Sequence, residues 1–314
     1  MDINGITDIA RFLTDEAAAQ DALANLRWPN GVQCPLCEGG KKVYEVSYTT
    51  TARGKETVRK QWKCGACRKK FSVTSRSIFE GAHIPVGKWI YAIFMMCSSK
   101  KGISANQLAR ELQISYKSAW FMCHRVREAM LQEPLAGMLG QGGGIVELDE
   151  TYVGGKKKNN RHKARTDKAG KKTAVMTLID REGDVKTVKV PNVRKGTLQS
   201  LAKPIVDKSA NIVTDAHLSY EGLDEHFHSH HTVDHSQTYV RGIIFHTNFA
   251  ESYHSLLKRG IIGTFHHVSD KHLPRYLAEF DRRWNTKGDR DGARTANVIE
   301  TAFSKRIKFR DIVA

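Results

Sequence analysis

Hydrophobic and polar positions alternate most regularly over residues 145–151. Val146 and Leu148 fall on one face of an extended chain, while Glu147 and Asp149 fall on the other. The pattern predicts a strand that carries carboxylates on one face. Because acidic side chains are also common on exposed strands, an edge strand with a solvated acidic face is the alternative.

The pattern continues through the C-terminal half of the chain. Runs of period two predict strands, and runs of period near 3.6 predict helices. The predicted strands are 173–180, 185–190, 211–217 and one near 232–233, and the predicted helices are 197–207, 247–259 and 272–284. Three antiparallel strands, a helix, a parallel strand and further helices are the element order of an RNase H-like fold.

The N-terminal half is mostly helical by the same criterion. The predicted helices are 15–26, 85–100, 104–112 and 116–131. The last two, joined by a short turn, resemble a helix-turn-helix, and Lys117 and Arg125 on the second are candidate DNA contacts. A generic helical bundle would have the same pattern.

Four cysteines interrupt the first part of the chain as two CxxC pairs. They are Cys34, Cys37, Cys64 and Cys67, and the 26 residues between the pairs alternate like a β-hairpin. Four thiolates at this spacing suit one tetrahedral, structural zinc ion. The alternative is two unrelated pairs, one of them redox-active. Arg68 and Lys69 make the ribbon basic and are candidate phosphate contacts.

These patterns predict a multidomain α+β protein. Its parts are a small zinc ribbon, a helical helix-turn-helix region and an α/β RNase H-like catalytic domain. The predicted segments are 1–31 (N-terminal helical segment), 32–80 (zinc ribbon), 81–131 (helix-turn-helix), 132–144 (a Pro- and Gly-rich linker), 145–287 (RNase H-like domain) and 288–314 (C-terminal tail).

Composition and charge favour a polyanionic partner. The chain has 314 residues, 40% of them hydrophobic, and a formal net charge of +17. Nucleic acid is the first candidate for the partner and an anionic membrane surface the second. No segment has the roughly 18 apolar residues of a membrane span, and there is no export signal. The paired cysteines indicate a reducing compartment.

Three carboxylates are candidates for one catalytic cluster. Asp149 ends the first strand of the C-terminal half, Asp215 ends the fourth, and Glu251 lies on the helix that follows. In a sheet where the first and fourth strands are neighbours, the two aspartates would meet at one edge. Three carboxylates can hold two magnesium ions for phosphodiester chemistry. Lys258 lies two helical turns after Glu251 on the same face.

At these motifs the chain resembles the DDE transposases of bacterial insertion sequences, in particular the ISXO-like branch. The matching segments are 147–155, 213–217, 246–252, 257–260 and 263–269, and in the zinc ribbon 27–31, 34–37, 62–64 and 71–72. The resemblance extends over roughly residues 8 to 287, and its motifs are specific in combination rather than singly.

The resemblance implies the roles of the site residues. Asp149, Asp215 and Glu251 would be the catalytic triad that binds two magnesium ions, and Lys258 would contact DNA, with Arg259 beside it. Some members of the branch use Asn as the third ligand, so Asn248 stays open as the alternative to Glu251. The reserve candidates are Asn248, His217, which follows Asp215, and Glu147, which shares the face of Asp149.

The function that this implies is DNA transposition. The transposase would bind the terminal inverted repeats of an insertion sequence, cleave phosphodiester bonds to free 3′-hydroxyls and join them to target DNA. Joining two ends predicts a homo-oligomer on double-stranded DNA in the bacterial cytoplasm, near the nucleoid. The alternatives are a catalytically silent DNA-binding regulator and an RNase H-like nuclease without strand transfer.

Overall fold

The chain folds into two compact units in the computed structural model. The described residues are 3, 5–37, 42–52, 55–132, 137–154, 172–233 and 246–313. One unit comprises residues 1–130 and 288–314, and the other comprises residues 131–287. Within the described residues, no helix is long and apolar enough to cross a membrane.

The first unit begins with two helices, of which only the second was predicted. They are α1 (Ile6–Thr14) and α2 (Glu16–Arg27). Helix α2 begins where it does because the Asp15 side chain accepts a hydrogen bond from the Ala18 N–H at 2.9 Å, and Glu16 lies in its first turn.

A ribbon of five short strands follows the two helices. They are β1 (Val43–Glu45), β2 (Tyr48–Ala52), β3 (Lys55–Arg59), β4 (Trp62–Cys64) and β5 (Lys70–Phe71). Strands β1, β4 and β5 form an antiparallel sheet, and β2 and β3 form a hairpin between β1 and β4. The predicted ribbon with a hairpin between the cysteine pairs is therefore confirmed. Trp28, Trp62 and Phe71 pack together beneath it, with ring centroids 5.3–6.1 Å apart.

Three helices follow the ribbon close to their predicted positions. They are α3 (Val86–Ser98), α4 (Ala105–Leu112) and α5 (Tyr116–Met130). Ser104 caps α4 by accepting from the Gln107 N–H at 3.1 Å, and Gln113 ends it in the left-handed conformation. Helices α4 and α5 pack against each other through buried apolar residues, as in a helix-turn-helix.

The second unit is built on a five-stranded sheet. Its strands are β6 (Ile145–Val153), β7 (Thr173–Asp180), β8 (Val185–Val190), β9 (Asn211–Asp215) and β10 (Ser229–Val233). They lie in the order β10-β9-β6-β7-β8. Strands β6, β7 and β8 are antiparallel neighbours, while β9 is parallel to β6 and β10 is parallel to β9. This is the predicted RNase H-like topology.

Helices cover both faces of this sheet. They are α6 (Lys195–Ala202), α7 (Asn248–Gly260) and α8 (Leu273–Asn285), and α7 continues into a π-helical turn, Ile261–Phe265. Val146 and Leu148 of β6 belong to the core under α6, whereas α7 and α8 contribute to the core on the opposite face. Glu147 and Asp149 therefore lie on the α7 side, as the alternation of β6 requires.

The C-terminal residues are not the tail that was predicted. They form α9 (Asp291–Ala302) and α10 (Phe309–Val313), and Val298, Ile299 and Ala302 are buried in the core of the first unit. That core also takes residues from the N-terminal helices, the ribbon and the helix-turn-helix. The four segments predicted as separate are thus one unit, because none of them alone buries enough apolar surface.

The predicted linker is also partly core. Residues 133–136 lie outside the described residues, but Leu139 is 4% exposed and pairs with Val206 in a parallel bridge. Gly140 follows with φ +73°, and its N–H donates to Asp180 Oδ2 at 2.8 Å. The glycine-rich stretch therefore forms a turn against β6. Glycine is needed at position 140 because a side chain there would collide with the core.

We expect Gly140→Ala to destabilise the second unit by about 2–4 kcal/mol, through left-handed strain and overpacking. Its Cβ would lie 2.6 Å from Ala210 Cβ and 2.6 Å from Val146 Cγ2. Gly142→Ala is the matched control: Gly142 has φ +70° but open space around its Cβ position, so only about 1 kcal/mol should be lost. Urea unfolding measures both, and equal losses would contradict the steric argument.

Candidate functional site

Two aspartates meet at one edge of the second unit's sheet. Strands β6 and β9 run parallel with Leu148 opposite Thr214, so Asp149 and Asp215 follow at the same level. Residues at one level of parallel neighbours point to the same face, and here that face is covered by α7. This register brings the two aspartates to the same level of the sheet. Asp215 ends β9, as predicted, but Asp149 does not end its strand, because β6 stays paired with β7 as far as Val153.

Glu251 adds a third carboxylate from the first turn of α7. Its side chain is exposed, and α7 packs against β6. Burial raises the pKa of Asp149 to about 7, assisted by the negative charges of Glu150, Asp215 and Glu251. The three predicted acids therefore lie in one electrostatic neighbourhood, although they do not come as close together as the four cysteines do.

A histidine that sequence reasoning missed completes this face. His254 Nδ1 lies 3.4 Å from Asp149 Oδ2, and its Nε2 lies 2.9 Å from Thr177 Oγ1. Burial lowers the pKa of His254 to about 4, and the charge of Lys258 acts in the same direction. The ring is neutral at pH 7, and it orients the carboxylate of Asp149. Its position three residues after Glu251, on the same helical face, was the available signal.

Helix α7 also presents the predicted cations. Lys258 is exposed and lies on the face that carries Glu251 and His254. Arg259 is exposed as well, with its Nε–H donating to the Ser255 carbonyl at 3.1 Å. Both side chains can reach solvent on the exposed surface of the helix that supplies the third carboxylate.

The reserve candidates have different surroundings. Asn248 is exposed at the first position of α7, one turn before Glu251. His217 is exposed, and its Nδ1 accepts from the Ser219 N–H at 3.3 Å at the start of a 3₁₀ turn. Glu147 is fully buried, and both of its oxygens are bound by protein donors. The reserve assignment of Glu147 as a metal ligand is therefore corrected, because both of its carboxylate oxygens already accept hydrogen bonds from the protein.

Glu150 takes no part in the α7 face. Its Oε2 accepts a hydrogen bond from the Tyr220 hydroxyl at 2.5 Å, and Tyr220 belongs to the core on the opposite face of the sheet. Burial raises the pKa of Tyr220 well above its usual value, with the Glu150 charge as the second cause. Glu150 acts on Asp149 in two ways: its charge raises the pKa of that carboxyl, and its backbone N–H, which donates to Asp149 Oδ1 at 2.8 Å, lowers it.

The four cysteines form the candidate metal centre of the first unit. Their sulfur atoms all lie within 4.8 Å of one another, and among the residues that the structure describes no other His, Cys, Asp and Glu side chains form such a group. Cys34 Sγ lies 3.8 Å from Cys67 Sγ, and Cys37 Sγ lies 3.6 Å from Cys64 Sγ. Four thiolates at 2.3 Å from one zinc ion would be about 3.8 Å apart.

Backbone donors support the thiolate form of this cluster. The N–H groups of Cys67 and Ala66 lower the pKa of Cys64 to about 7, against the opposing effect of burial. At Cys34 burial raises the pKa, and the Leu36 N–H, whose nitrogen lies 3.4 Å from Cys34 Sγ, acts in the opposite direction. These turn geometries are those of two knuckles that close around a single ion.

The predicted DNA contacts of the first unit divide into two groups. Arg68, Lys69 and Lys117 are exposed. Arg125 is 6% exposed, and its guanidinium donates to the Ile78 carbonyl at 2.7 Å and lies 4.4 Å from the Phe121 ring centroid. Burial lowers the pKa of Arg125 to about 10. The assignment of Arg125 as a DNA contact is corrected, because α5 is buried on most sides after its first turn.

Fold and site together define a zinc-ribbon protein with an RNase H-like domain that carries acidic residues at its sheet edge. Residues 141–285 match the ISXO2-like transposase domain, and residues 14–70 match the transposase zinc-ribbon domain of the same IS1595 group. The chain belongs to the ISXO2-like transposase family, as its motifs predicted.

A relative and two solved structures extend the comparison. The chain is 28% identical over 311 residues to an uncharacterised protein in transposable element ISH50 of Halobacterium salinarum, covering 94% of this chain and 99% of that protein. A simian T-cell lymphotropic virus intasome in complex with PP2A regulatory subunit B56 gamma matches with TM-score 0.29 and 14% identity, over 60% of this chain and 64% of that one. A pre-cleavage Mos1 transpososome matches with TM-score 0.23 and 14% identity, over 65% and 78%.

The chain thus spans less than two thirds of the matched intasome chain. At these scores the superpositions add nothing to the fold assignment, which depends on the strand order of the sheet.

We expect Arg125→Ala to lower the free energy of unfolding of the first unit by about 2–4 kcal/mol, because the Ile78 carbonyl and Phe121 lose their partner. Lys117→Ala is the control, with a loss of about 0.5 kcal/mol from its exposed contact with Phe309. Urea unfolding measures both. A stable Arg125→Ala protein with impaired DNA binding would restore Arg125 as a contact.

Proposed function

We propose that this transposase cleaves and joins DNA with Asp149, Asp215 and Glu251 as its catalytic acids. The observation that carries the proposal is the register of β6 and β9, which puts Asp149 and Asp215 at one level on the face covered by α7, the helix that carries Glu251. Gathering like charges at one partly buried place costs free energy unless a cation accompanies them. An acidic cluster of this kind, on the RNase H-like domain of a transposase family, is the arrangement that divalent-ion phosphoryl transfer needs.

The donor set fits magnesium. All three side chains offer carboxylate oxygens, which magnesium prefers, and the exposed Glu251 leaves the site open to a phosphate oxygen. Two such ions, when bound, supply activation of the attacking water or 3′-hydroxyl and stabilisation of the leaving oxygen. The chain's own groups would then position the ions. Neutral His254 would hold the Asp149 carboxylate, and Lys258 would attract the DNA phosphate.

Glu251 is favoured over Asn248 as the third ligand. Glu251 lies near enough to Asp149 for its negative charge to add, as the smallest of several causes, to the raised pKa of that carboxyl. Asn248 is exposed at the helix start, and its side chain has no negative charge that would attract a cation. A carboxylate also binds magnesium more strongly than an amide oxygen does.

The first unit would bind the ends of the mobile element. In this proposal the cysteine cluster holds one structural zinc ion, since its sulfur spacing fits a tetrahedral ion. Arg68 and Lys69 on the ribbon and Lys117 at the start of α5 are exposed and able to contact phosphates. The exposed residues of α5 are Tyr116 and Lys117 in its first turn, so base reading in a major groove would be confined to that turn.

Joining two element ends to a target requires at least two protomers on double-stranded DNA. We therefore place a homo-oligomer on DNA in the cytoplasm, where the net charge of +17 favours association with nucleic acid.

The proposal is tested by cleavage and strand transfer on labelled element-end DNA with magnesium. Asp149→Asn and Glu251→Gln should each reduce product by at least about 10²–10³-fold, because transition-state charge stabilisation is lost, while DNA binding persists. Asn248→Ala, three residues before Glu251 on the same helix, is the matched control and should retain activity.

Other outcomes of this assay separate the alternatives. An inactive Asn248→Ala beside an active Glu251→Gln would make Asn248 the third ligand. A wild-type protein that binds end DNA without product would favour a silent regulator, and cleavage of branched DNA without joining would favour a nuclease.

We expect purified protein to contain one zinc ion per chain, and Cys64→Ser to abolish it and to unfold the ribbon, since structural zinc contributes about 10–16 kcal/mol in zinc-finger peptides. Cys97→Ser, which changes a buried cysteine outside the cluster, should keep the zinc. Elemental analysis with circular dichroism measures both. A zinc-free wild type with a folded ribbon would refute the metal assignment.

A further inference from the structure

Glu147 is a carboxylate that the catalytic cluster does not use. It lies on β6 two residues before Asp149, on the same face, and it has no exposed surface. Burying an ionised carboxylate costs several kcal/mol unless donors surround it. The strand must therefore supply specific partners at this position, and those partners indicate what the residue does.

Each oxygen of Glu147 has its own set of partners. Oε1 accepts from the Arg181 Nε–H at 2.8 Å and lies 3.4 Å from His246 Nδ1. Oε2 accepts from the backbone N–H groups of Phe249 and Ala250, both at 3.0 Å. The carboxylate is thus held by one cation and by two peptide groups.

The two peptide groups belong to the first turn of α7. Free N–H groups and the positive end of the helix dipole make this turn a favourable place for a carboxylate. Thr247, at the N-cap position, makes no capping hydrogen bond through its side chain. The cap is supplied instead by Glu147, from a strand about 100 residues earlier in the chain.

Arg181 extends the attachment to the segment before the helix. One of its terminal N–H groups donates to the His246 carbonyl at 2.7 Å, while its Nε–H holds Glu147. Arg181 follows β7 directly, and its own N–H donates to the Ile145 carbonyl of β6 at 3.1 Å. We call Glu147, Arg181 and the N–H groups of Phe249 and Ala250 the carboxylate clamp.

We propose that the carboxylate clamp sets the position of Glu251 relative to Asp149, so that Glu147 is a positioning residue of the transposase site. The clamp joins β6, two residues before Asp149, to the two residues of α7 that come immediately before Glu251. The inference rests on the proposed function for the role of the two acids. Its consequence is that Glu147 acts on metal binding only through Glu251.

Two further attachments hold α7 after its first turn, and one of them is His254, whose Nε2 lies 2.9 Å from Thr177 Oγ1. The Tyr253 hydroxyl of α7 donates to the buried Asp281 of α8 at 2.6 Å, which holds the helix one turn later but not at its start. Positioned catalytic groups must keep to about 0.5 Å of the productive geometry. Loss of the clamp would therefore free the first turn of α7 while the rest of the helix stays docked.

Amide hydrogen exchange on the full chain tests the clamp itself. Glu147→Gln should accelerate exchange at residues 247–251 by about tenfold or more, because the two N–H groups lose their charged acceptor. Arg181→Lys, a milder change, should accelerate it less. Glu279→Gln is the control: Glu279 is a buried glutamate of α8, and its carboxylate lies 2.8 Å from Arg283 of the same helix. Unchanged exchange in Glu147→Gln would refute the clamp.

Manganese binding, followed by electron paramagnetic resonance without DNA, tests the link to Glu251. Glu147→Gln should weaken binding about tenfold or more in the wild-type background, as outer-shell changes do, and should have no further effect in a Glu251→Gln background. Weaker binding in both backgrounds would make Glu147 a direct ligand, and no weakening in either would reduce it to a purely structural residue. Either result would overturn the positioning role.

Failure of the proposed function would look different. A wild-type chain that binds no manganese and yields no cleaved DNA would remove the catalytic assignment and with it the role of Glu147 toward metal. Altered exchange confined to residues 247–251 would still locate the clamp under those conditions. Normal manganese binding and cleavage with unaltered exchange would retain the function and refute the inference.

Discussion

The constraint on which the second unit depends is that a central, buried strand carries carboxylates on the face it presents to a helix. Strand β6 lies between β9 and β7, and Glu147 has no access to water. Its oxygens are hydrogen-bonded there by Arg181 and by the start of α7. The same contacts that neutralise Glu147 bring α7, with Glu251, against the edge where Asp149 and Asp215 meet.

The first unit obeys a comparable constraint with sulfur in place of oxygen. Two knuckles bring four cysteines together, and the aromatic rings of Trp28, Trp62 and Phe71 pack beside them. A ribbon of such short strands has little core of its own, so it shares one with the surrounding helices. The basic residues of the ribbon remain exposed because that core takes the apolar faces.

Particular residues show how far periodicity and motif could predict the site. Asp149, Asp215 and Glu251 could be selected because strand alternation and helical spacing place side chains on faces. Arg125 could not be separated from Lys117 by sequence, since both lie on α5 and differ only in burial. The C-terminal helix α9 was missed because its apolar face is completed by α3 and α5.

The sequence by itself determined the local elements, the cysteine framework, the basic charge and the family to which the chain belongs, since these depend on neighbours along the chain and on residue type. Only the tertiary structure decided which carboxylate is a ligand candidate and which is a helix cap. It also placed His254 beside Asp149 and buried Leu139 of the predicted linker. The physical reason is that burial and the pairing of charges depend on residues far apart in sequence, such as Glu147 and Phe249, which only the folded chain brings within 3.0 Å.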